Sequence, residues 1–307
     1  MKNIYHGITS ILLLLVVLSA WYVSGILSGR AASSGAWDIV PAVVLLLATG
    51  FIIYLINENM ISGGSSLAPV IWFILATANP AALTLSPILA ATPLVAASIA
   101  LLLAFCTVRP SIEYIAACFA LLGVAAMLLP PLIWLSPIFF ICSITRTESK
   151  ARTVVASLLA LAIPLFTWCC IRFLAGDLQA VVATLEGFGR GAVSLNLIGT
   201  GASAPTIARL ALTVVLTLIS LILVIRRLDS YTTDQFRSAN RIIILLPSLV
   251  ALAILFLGGQ PWELLTAIPA SLLIDEYASR PVHRRGCTLI LTALGLLLLA
   301  ERIYLYL

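Results

Sequence analysis

The chain has 307 residues, of which 62% are hydrophobic and only 9% are charged, and its net charge is +5. A soluble domain carries about 25% charged residues, so the composition excludes an ordinary soluble domain. The charges lie in clusters between apolar runs of about 20 residues, the length that crosses a bilayer as a helix. The sequence therefore predicts one all-α integral-membrane domain over residues 1–307, a polytopic bundle of transmembrane helices.

Eleven candidate membrane-spanning segments follow one another along the chain. Eight are regular, one contains Asn79-Pro80, and two have only 14 residues. A 14-residue helix rises about 21 Å, less than the ~30 Å hydrocarbon thickness, so the number of spans is nine to eleven. The eight regular segments are Ile8–Leu27, Ile39–Ile56, Pro87–Val108, Ile112–Leu129, Thr153–Phe173, Ile207–Ile225, Ile242–Leu257 and Cys287–Leu305. The three others are Leu67–Leu85, Pro131–Ile144 and Pro261–Ile274.

The first segment has some features of a secretory signal. It follows Lys2, and Ser19-Ala20 provides small residues of the kind found at cleavage sites. Apolar residues continue through Trp21 as far as Leu27, beyond the usual length of a signal core. We therefore expect an uncleaved membrane anchor.

The distribution of Lys and Arg predicts the orientation. With a cytoplasmic N-terminus and eleven alternating spans, twelve of the 17 basic residues fall on the cytoplasmic side, as the positive-inside rule requires. This bias accounts for the net positive charge, so no nucleic-acid partner is expected. The cytoplasmic twelve are Lys2, Arg109, Arg146, Lys150, Arg152, Arg226, Arg227, Arg237, Arg241, Arg280, Arg284 and Arg285. The outer five are Arg30, Arg172, Arg190, Arg209 and Arg302.

The six cysteines lie in or beside apolar segments, and none belongs to a Cys-x-x-Cys pair. The chain has only two histidines. We therefore expect buried free thiols, with no metal site, disulfide framework or cofactor. The cysteines are Cys106, Cys118, Cys142, Cys169, Cys170 and Cys287.

Residues 175–206 form a long loop on the predicted outer side. Asp177 is followed by apolar residues at helical spacing, which predicts a short amphipathic helix with Asp177 as its N-cap. Such a helix covers the end of the bundle, which is the simpler interpretation, or acts as a lid over a site that opens outward. The glycine-rich stretch around Arg190 lacks the strand and helix of a phosphate-binding loop, so we expect a flexible loop there. The apolar residues are Leu178, Val181, Val182, Leu185 and Phe188.

Two turns on the predicted outer side share a pattern. Leu129-Pro130-Pro131 leads into a short segment with Trp134, and Gly258-Gly259-Gln260-Pro261 leads into Trp262-Glu263. Paired Pro- or Gly-interrupted segments are typical of substrate sites in transporters, and plain helical hairpins give the same pattern. Arg172 and Arg209 share the outer side with Asp38 and Glu263, where all four are candidates for binding an anionic ligand. The candidate ligand-binding residues are Pro130, Pro131, Trp134, Gly259, Gln260, Trp262, Glu263, Arg172 and Arg209. No acidic residue or histidine is expected at the centre of a span, which argues against ion-coupled transport.

The stretch from Asn57 to Phe173 contains Leu85-Ser86-Pro87, the Leu129-Pro130-Pro131 turn with Trp134, and the polar loop Thr145–Arg152. It resembles an uncharacterised family of multi-pass inner-membrane proteins from Bacteroidetes-type bacteria, a domain of unknown function. The resemblance covers somewhat over a third of the chain. It implies a bacterial inner (cytoplasmic) membrane location, and it implies no activity and no site residues.

Three functions fit the sequence. The first is a non-enzymatic inner-membrane protein of cell-envelope biogenesis that handles or permeates an amphipathic or lipid-linked molecule, with membrane lipids around it. The second is a membrane-embedded glycosyltransferase with a polyprenyl-linked donor and Asp38 as catalytic base in the first outer loop, where the usual acidic pair is missing. The third is a scaffold subunit of a membrane complex that holds cytoplasmic partners through Arg226–Arg241 and Arg280–Arg285.

Overall fold

The computed structural model of the chain describes residues 36–57, 67–77, 85–107, 111–147, 149–189, 204–227, 244–252, 263–278, 292–293 and 295–296. Over these residues the protein is all-α and contains no β-strand. The predicted span Ile8–Leu27 and most of Cys287–Leu305 lie outside them. The helices are α1 (Ala36–Ile56), α2 (Ala68–Thr77), α3 (Pro87–Thr107), α4 (Ile112–Leu128), α5 (Ser136–Ile144), α6 (Lys150–Leu174), α7 (Leu178–Gly189), α8 (Ala204–Arg227) and α9 (Glu263–Ala278). A 3-10 helix covers Pro130–Leu135, and residues 244–252 are helical.

Five of the eight regular predicted spans correspond to α1, α3, α4, α6 and α8, with ends that differ by at most three residues. Residues 244–252 are helical within the predicted span Ile242–Leu257. In the predicted span Leu67–Leu85, α2 covers Ala68–Thr77, whereas Leu85 and Ser86 are not helical, so the helix does not extend to Leu85. Pro87 is the first residue of α3. Proline is tolerated at this position, because the amide of a first helical residue has no hydrogen-bond partner within the helix. The Ser86 hydroxyl oxygen accepts a hydrogen bond from the Leu89 amide at 3.2 Å, so Ser86 caps the helix.

The core lies where α2 and α9 pack against each other. All ten residues of α2 are buried, and so are residues 264–275 of α9. The Trp72 ring meets Phe73 edge-on with 5.2 Å between centroids, and Phe73 lies against Gly50 of α1. Helices that are apolar all round are stable only when every face is covered. These two short helices therefore occupy the centre, with α1, α3 and α8 packed around them.

Consecutive helices from α3 to α6 alternate in direction. The Cys118 thiol of α4 donates to the Ser98 carbonyl oxygen of α3 at 3.2 Å, and the two residues lie at similar distances on either side of the intervening turn. Phe119 and Phe140 make the equivalent contact across the next turn, with 5.6 Å between ring centroids. The segment Pro130–Ile144 therefore runs back along α4, and α6 runs parallel to α4.

The outer surface of the bundle is apolar. In α6 the buried residues are Thr153, Ser157 and Ala160, whereas its large apolar side chains point outward, with Phe166 71% exposed. Helix α8 buries Thr217 and Ser220 together with Leu216, and it exposes five other large apolar side chains. Among the described helices, Pro87–Cys106 and Lys150–Leu174 are long and apolar enough to cross a membrane. The exposed large side chains are Val155, Leu158, Leu159, Ile163, Phe166, Ile171, Phe173 and Leu174 in α6, and Val214, Val215, Leu218, Ile219 and Ile222 in α8.

Candidate functional site

The candidate site is the corner formed by Pro130–Leu135 between α4 and α5. Leu129 is extended, with φ −137° and ψ 94°, because a residue before proline avoids the helical region. The amide of Leu132 donates to the Leu129 carbonyl at 3.0 Å, which closes the tight 3-10 turn. Leu132 and Leu135 are buried, whereas the Trp134 side chain is 51% exposed. Leu132 and Leu135 therefore pack the corner against the bundle, and the indole of Trp134 is exposed at its surface.

The 3-10 helix also changes the expected length of this segment. Its six residues rise about 2.0 Å each, and the nine residues of α5 rise about 1.5 Å each. Pro130–Ile144 is thus about 25 Å long, longer than the 21 Å predicted for Pro131–Ile144 as a pure α-helix. This length approaches the ~30 Å thickness of the hydrocarbon core.

The connection between α6 and α7 is a two-bond Schellman motif at Gly176. The Asp177 amide donates to the Arg172 carbonyl and the Gly176 amide donates to the Phe173 carbonyl, both at 3.0 Å. Gly176 has a φ of +77°, the left-handed conformation that this motif requires and that glycine adopts without strain. The predicted helix follows at once as Leu178–Gly189.

Side chains reinforce the same connection. A guanidinium nitrogen of Arg172 lies 3.2 Å from a carboxylate oxygen of Asp177. The guanidinium carbon lies 4.4 Å from the centroid of the Trp168 ring, a cation–π geometry. Arg172 was predicted as a ligand for an anion, but in this structure it pairs with Asp177 and ties α6 to α7.

Helix α7 lies over the corner, in contact with both Pro130–Leu135 and α6. Its apolar face is only partly covered, since Val182 is 52% and Leu185 is 55% exposed. A shallow open groove of about 350 Å³ follows this helix and is lined by Gln179, Val182, Ala183 and Glu186. The predicted amphipathic helix is confirmed, and it combines apolar and polar side chains in one surface groove.

The second predicted turn lies mostly outside the described residues, which include none of Gly259, Gln260 and Trp262. Glu263 is the first residue of α9, and Arg209 lies in the second turn of α8, with neither side chain described. Helix α9 packs against α2, α3 and α8, whereas Pro130–Ile144 packs against α3, α4, α6 and α7. The two predicted short segments therefore lie in different parts of the bundle.

Asp38, the catalytic base of the glycosyltransferase hypothesis, lies within α1, which the structure describes from Ala36, and its side chain is not described. Among the described residues, no three His, Cys, Asp or Glu side chains are grouped to hold a metal ion. Cys106, Cys118 and Cys142 are buried and form no disulfide.

Sequence reasoning missed Asp275. The predicted segment Pro261–Ile274 ends one residue earlier, but α9 continues to Ala278 and Asp275 is completely buried. Ser271, one turn before it on the same face, is also completely buried. An acidic side chain in the interior is costly unless its polar atoms are satisfied. Asp275 and Ser271 therefore make this part of α9 a polar region within an otherwise apolar core.

Comparisons with known protein families, with curated proteins and with solved structures find no match to this chain.

Proposed function

We propose that this protein is a non-enzymatic, multi-pass integral membrane protein whose outer end handles an amphipathic, lipid-linked molecule. The observation that carries the proposal is the inverted surface of α6, which buries Thr, Ser and Ala residues and exposes Val, Leu, Ile and Phe, together with the exposed Val, Leu and Ile side chains of α8. Apolar surface of this extent is unfavourable in water. It is favourable against lipid tails, and small residues are the ones that membrane helices place between themselves.

The alternation of α3, α4, Pro130–Ile144 and α6 supports the eleven-span topology with a cytoplasmic N-terminus. Arg146, Lys150 and Arg152 lie together where α5 ends and α6 begins. Trp168 lies near the opposite end of α6. Basic residues at one end and an aromatic side chain at the other agree with a cytoplasmic side and an outer interface. The bacterial inner membrane is the location that the family resemblance favours, and a role in cell-envelope biogenesis is part of this proposal.

The ligand class follows from the groove on α7. Val182 and Ala183 offer apolar contact, while Gln179 and Glu186 offer hydrogen bonds along the same helix. The groove is open, and α7 lies directly over Pro130–Leu135. A molecule with an apolar chain and a polar head group matches this combination, since its chain lies in the bilayer while its head contacts the polar residues of the groove.

A photo-cross-linking experiment tests this proposal. The protein is placed in nanodiscs and irradiated with a diazirine-bearing polyprenyl phosphate, and a diazirine phosphatidylcholine serves as the bulk-lipid control. We expect the polyprenyl probe to label α7 and Pro130–Leu135 in excess of the control, and both probes to label α6 and α8 alike. Val182→Ser should abolish that excess, whereas Val215→Ser, a similarly exposed valine on α8, should not. Equal labelling of α7 by both probes would contradict the proposal.

A further inference from the structure

The glycine at position 176 suggests a flexible hinge between α6 and α7, but the structure shows a restrained connection. A glycine between two helices is expected to flex, yet both backbone bonds of the Schellman motif are present. The Arg172–Asp177 pair and the stacking of Arg172 on Trp168 restrain the same residues. Bending at Gly176 would break these contacts together. Helix α7 is therefore fixed to the last turn of α6.

The flexible point of this unit lies further back, at Pro164. Proline has no amide hydrogen, so the Ala160 carbonyl receives no helical bond from position 164, and the ring crowds that turn. Prolines are among the few causes of sharp bending inside long helices. Pro164 thus divides α6 into two halves with a weakened turn between them.

The two halves differ in how they are held. In the first half Thr153, Ser157 and Ala160 are buried against the bundle, whereas no residue of α6 after Ala160 is buried. Helix α4 approaches α6 closely at this level, where Gly123 faces the Leu161 carbonyl oxygen and the Pro164 ring. The first half of α6 is therefore packed against the bundle through buried side chains, whereas the side chains of the second half are only partly covered or exposed.

From these contacts we propose that α7 moves away from Pro130–Leu135 by bending of α6 at Pro164, with residues 165–189 moving as one body. The inference rests on the proposed function and deepens it, because α7 carries the groove that is proposed to bind the lipid-linked molecule. The structure shows the closed arrangement, in which α7 contacts Pro130–Leu135. Bending at Pro164 moves α7 away from that corner while the Gly176 connection stays intact.

Distances between spin labels test the position of the hinge. Labels are attached to encoded azido residues in nanodisc-embedded protein, which leaves the native cysteines in place. One pair, Ile171 with Ala183, spans the Gly176 connection, and the other, Leu159 with Ala183, spans Pro164; all three sites are exposed. We expect one narrow distance distribution for the first pair and two populations for the second.

Pro164→Ala restores the amide hydrogen and should collapse the two populations into one, whereas Pro93→Ala, a proline inside α3, should leave them unchanged. Amide exchange near residues 160–164 in the unsubstituted protein is an independent readout, expected to be faster than at Gly176 and Asp177. A broad distribution across Gly176, or one narrow population for both pairs, would overturn the proposal. No ligand is added, so failure of the polyprenyl labelling and failure of this hinge are separate results.

Discussion

The contact between α4 and α6 makes Gly123→Ala the sharpest test of the packing. A Cβ atom at position 123 would lie 3.0 Å from the Leu161 carbonyl oxygen and 3.3 Å from Cγ of Pro164. Comfortable carbon contacts lie at about 3.5–4.0 Å, so the helices must separate by roughly 0.5 Å. The obstacle is backbone, which cannot rotate away as a side chain would.

The magnitude follows from two opposed contributions. Alanine in place of glycine gains up to about 1 kcal/mol of helix propensity. Overpacking at a close contact costs about 1–3 kcal/mol, so after this gain we expect Gly123→Ala to lower the free energy of unfolding by up to about 2 kcal/mol. Gly295→Ala is the matched control, because no atom lies within 4 Å of the Cβ it would add. It should be neutral or slightly stabilising.

The assay uses thiols that the fold already buries. Cys106, Cys118 and Cys142 are buried, so a thiol-reactive dye reports unfolding as detergent-solubilised protein is heated. We expect Gly123→Ala to lower Tm by a few degrees, at about 2–4 °C per kcal/mol. If Gly123→Ala raised Tm as much as Gly295→Ala, then α4 and α6 would not approach as closely as the structure shows, and the reasoning would be refuted.

Three further predictions concern the Gly176 connection, the exposed face of α6 and the cysteine thiols. Gly176→Ala forces a side chain into the left-handed region and should cost about 1–2 kcal/mol in thermal unfolding; an unchanged Tm would contradict the Schellman geometry. Leu159→Arg places a charge on the exposed face of α6 and should cost about 2.5–3.5 kcal/mol of membrane insertion, whereas Leu159→Ala should insert normally; equal insertion would argue against a lipid-facing side. A lipid-soluble maleimide should label half-buried Cys169 before fully buried Cys118 in native protein, and the reverse order would contradict the packing of α3 on α4.

Much of the helix pattern could be predicted from the sequence, because long apolar runs and their polar ends follow from helix length and hydrophobicity. The boundaries of α3, for example, agree to within one residue at Thr107, and Ser86-Pro87 marks its start. Helix α7 could likewise be predicted, from the helical spacing of the apolar residues that follow Asp177. These features depend on local chemistry alone.

Features that depend on tertiary contact could not be predicted. The sequence does not show that Arg172 reaches Asp177, since both residues are plausible solvent-exposed charges. Nor does it show that α9 continues past Ile274 with Asp275 in the core, because a carboxylate usually marks the end of an apolar segment. The pairing of α9 with α2, and so its separation from Pro130–Leu135, likewise depends on which faces the other helices leave open.

The central claim is that the chain crosses the membrane repeatedly, with α6 running from the cytoplasmic to the outer side. Reporter fusions placed after Ser149 and after Gly176 test it directly, since these residues flank α6 at its two ends. We predict a fluorescent cytoplasmic reporter only at Ser149 and an active exported phosphatase only at Gly176. If both fusions reported the same side of the membrane, α6 would not be a transmembrane helix and the account would be contradicted.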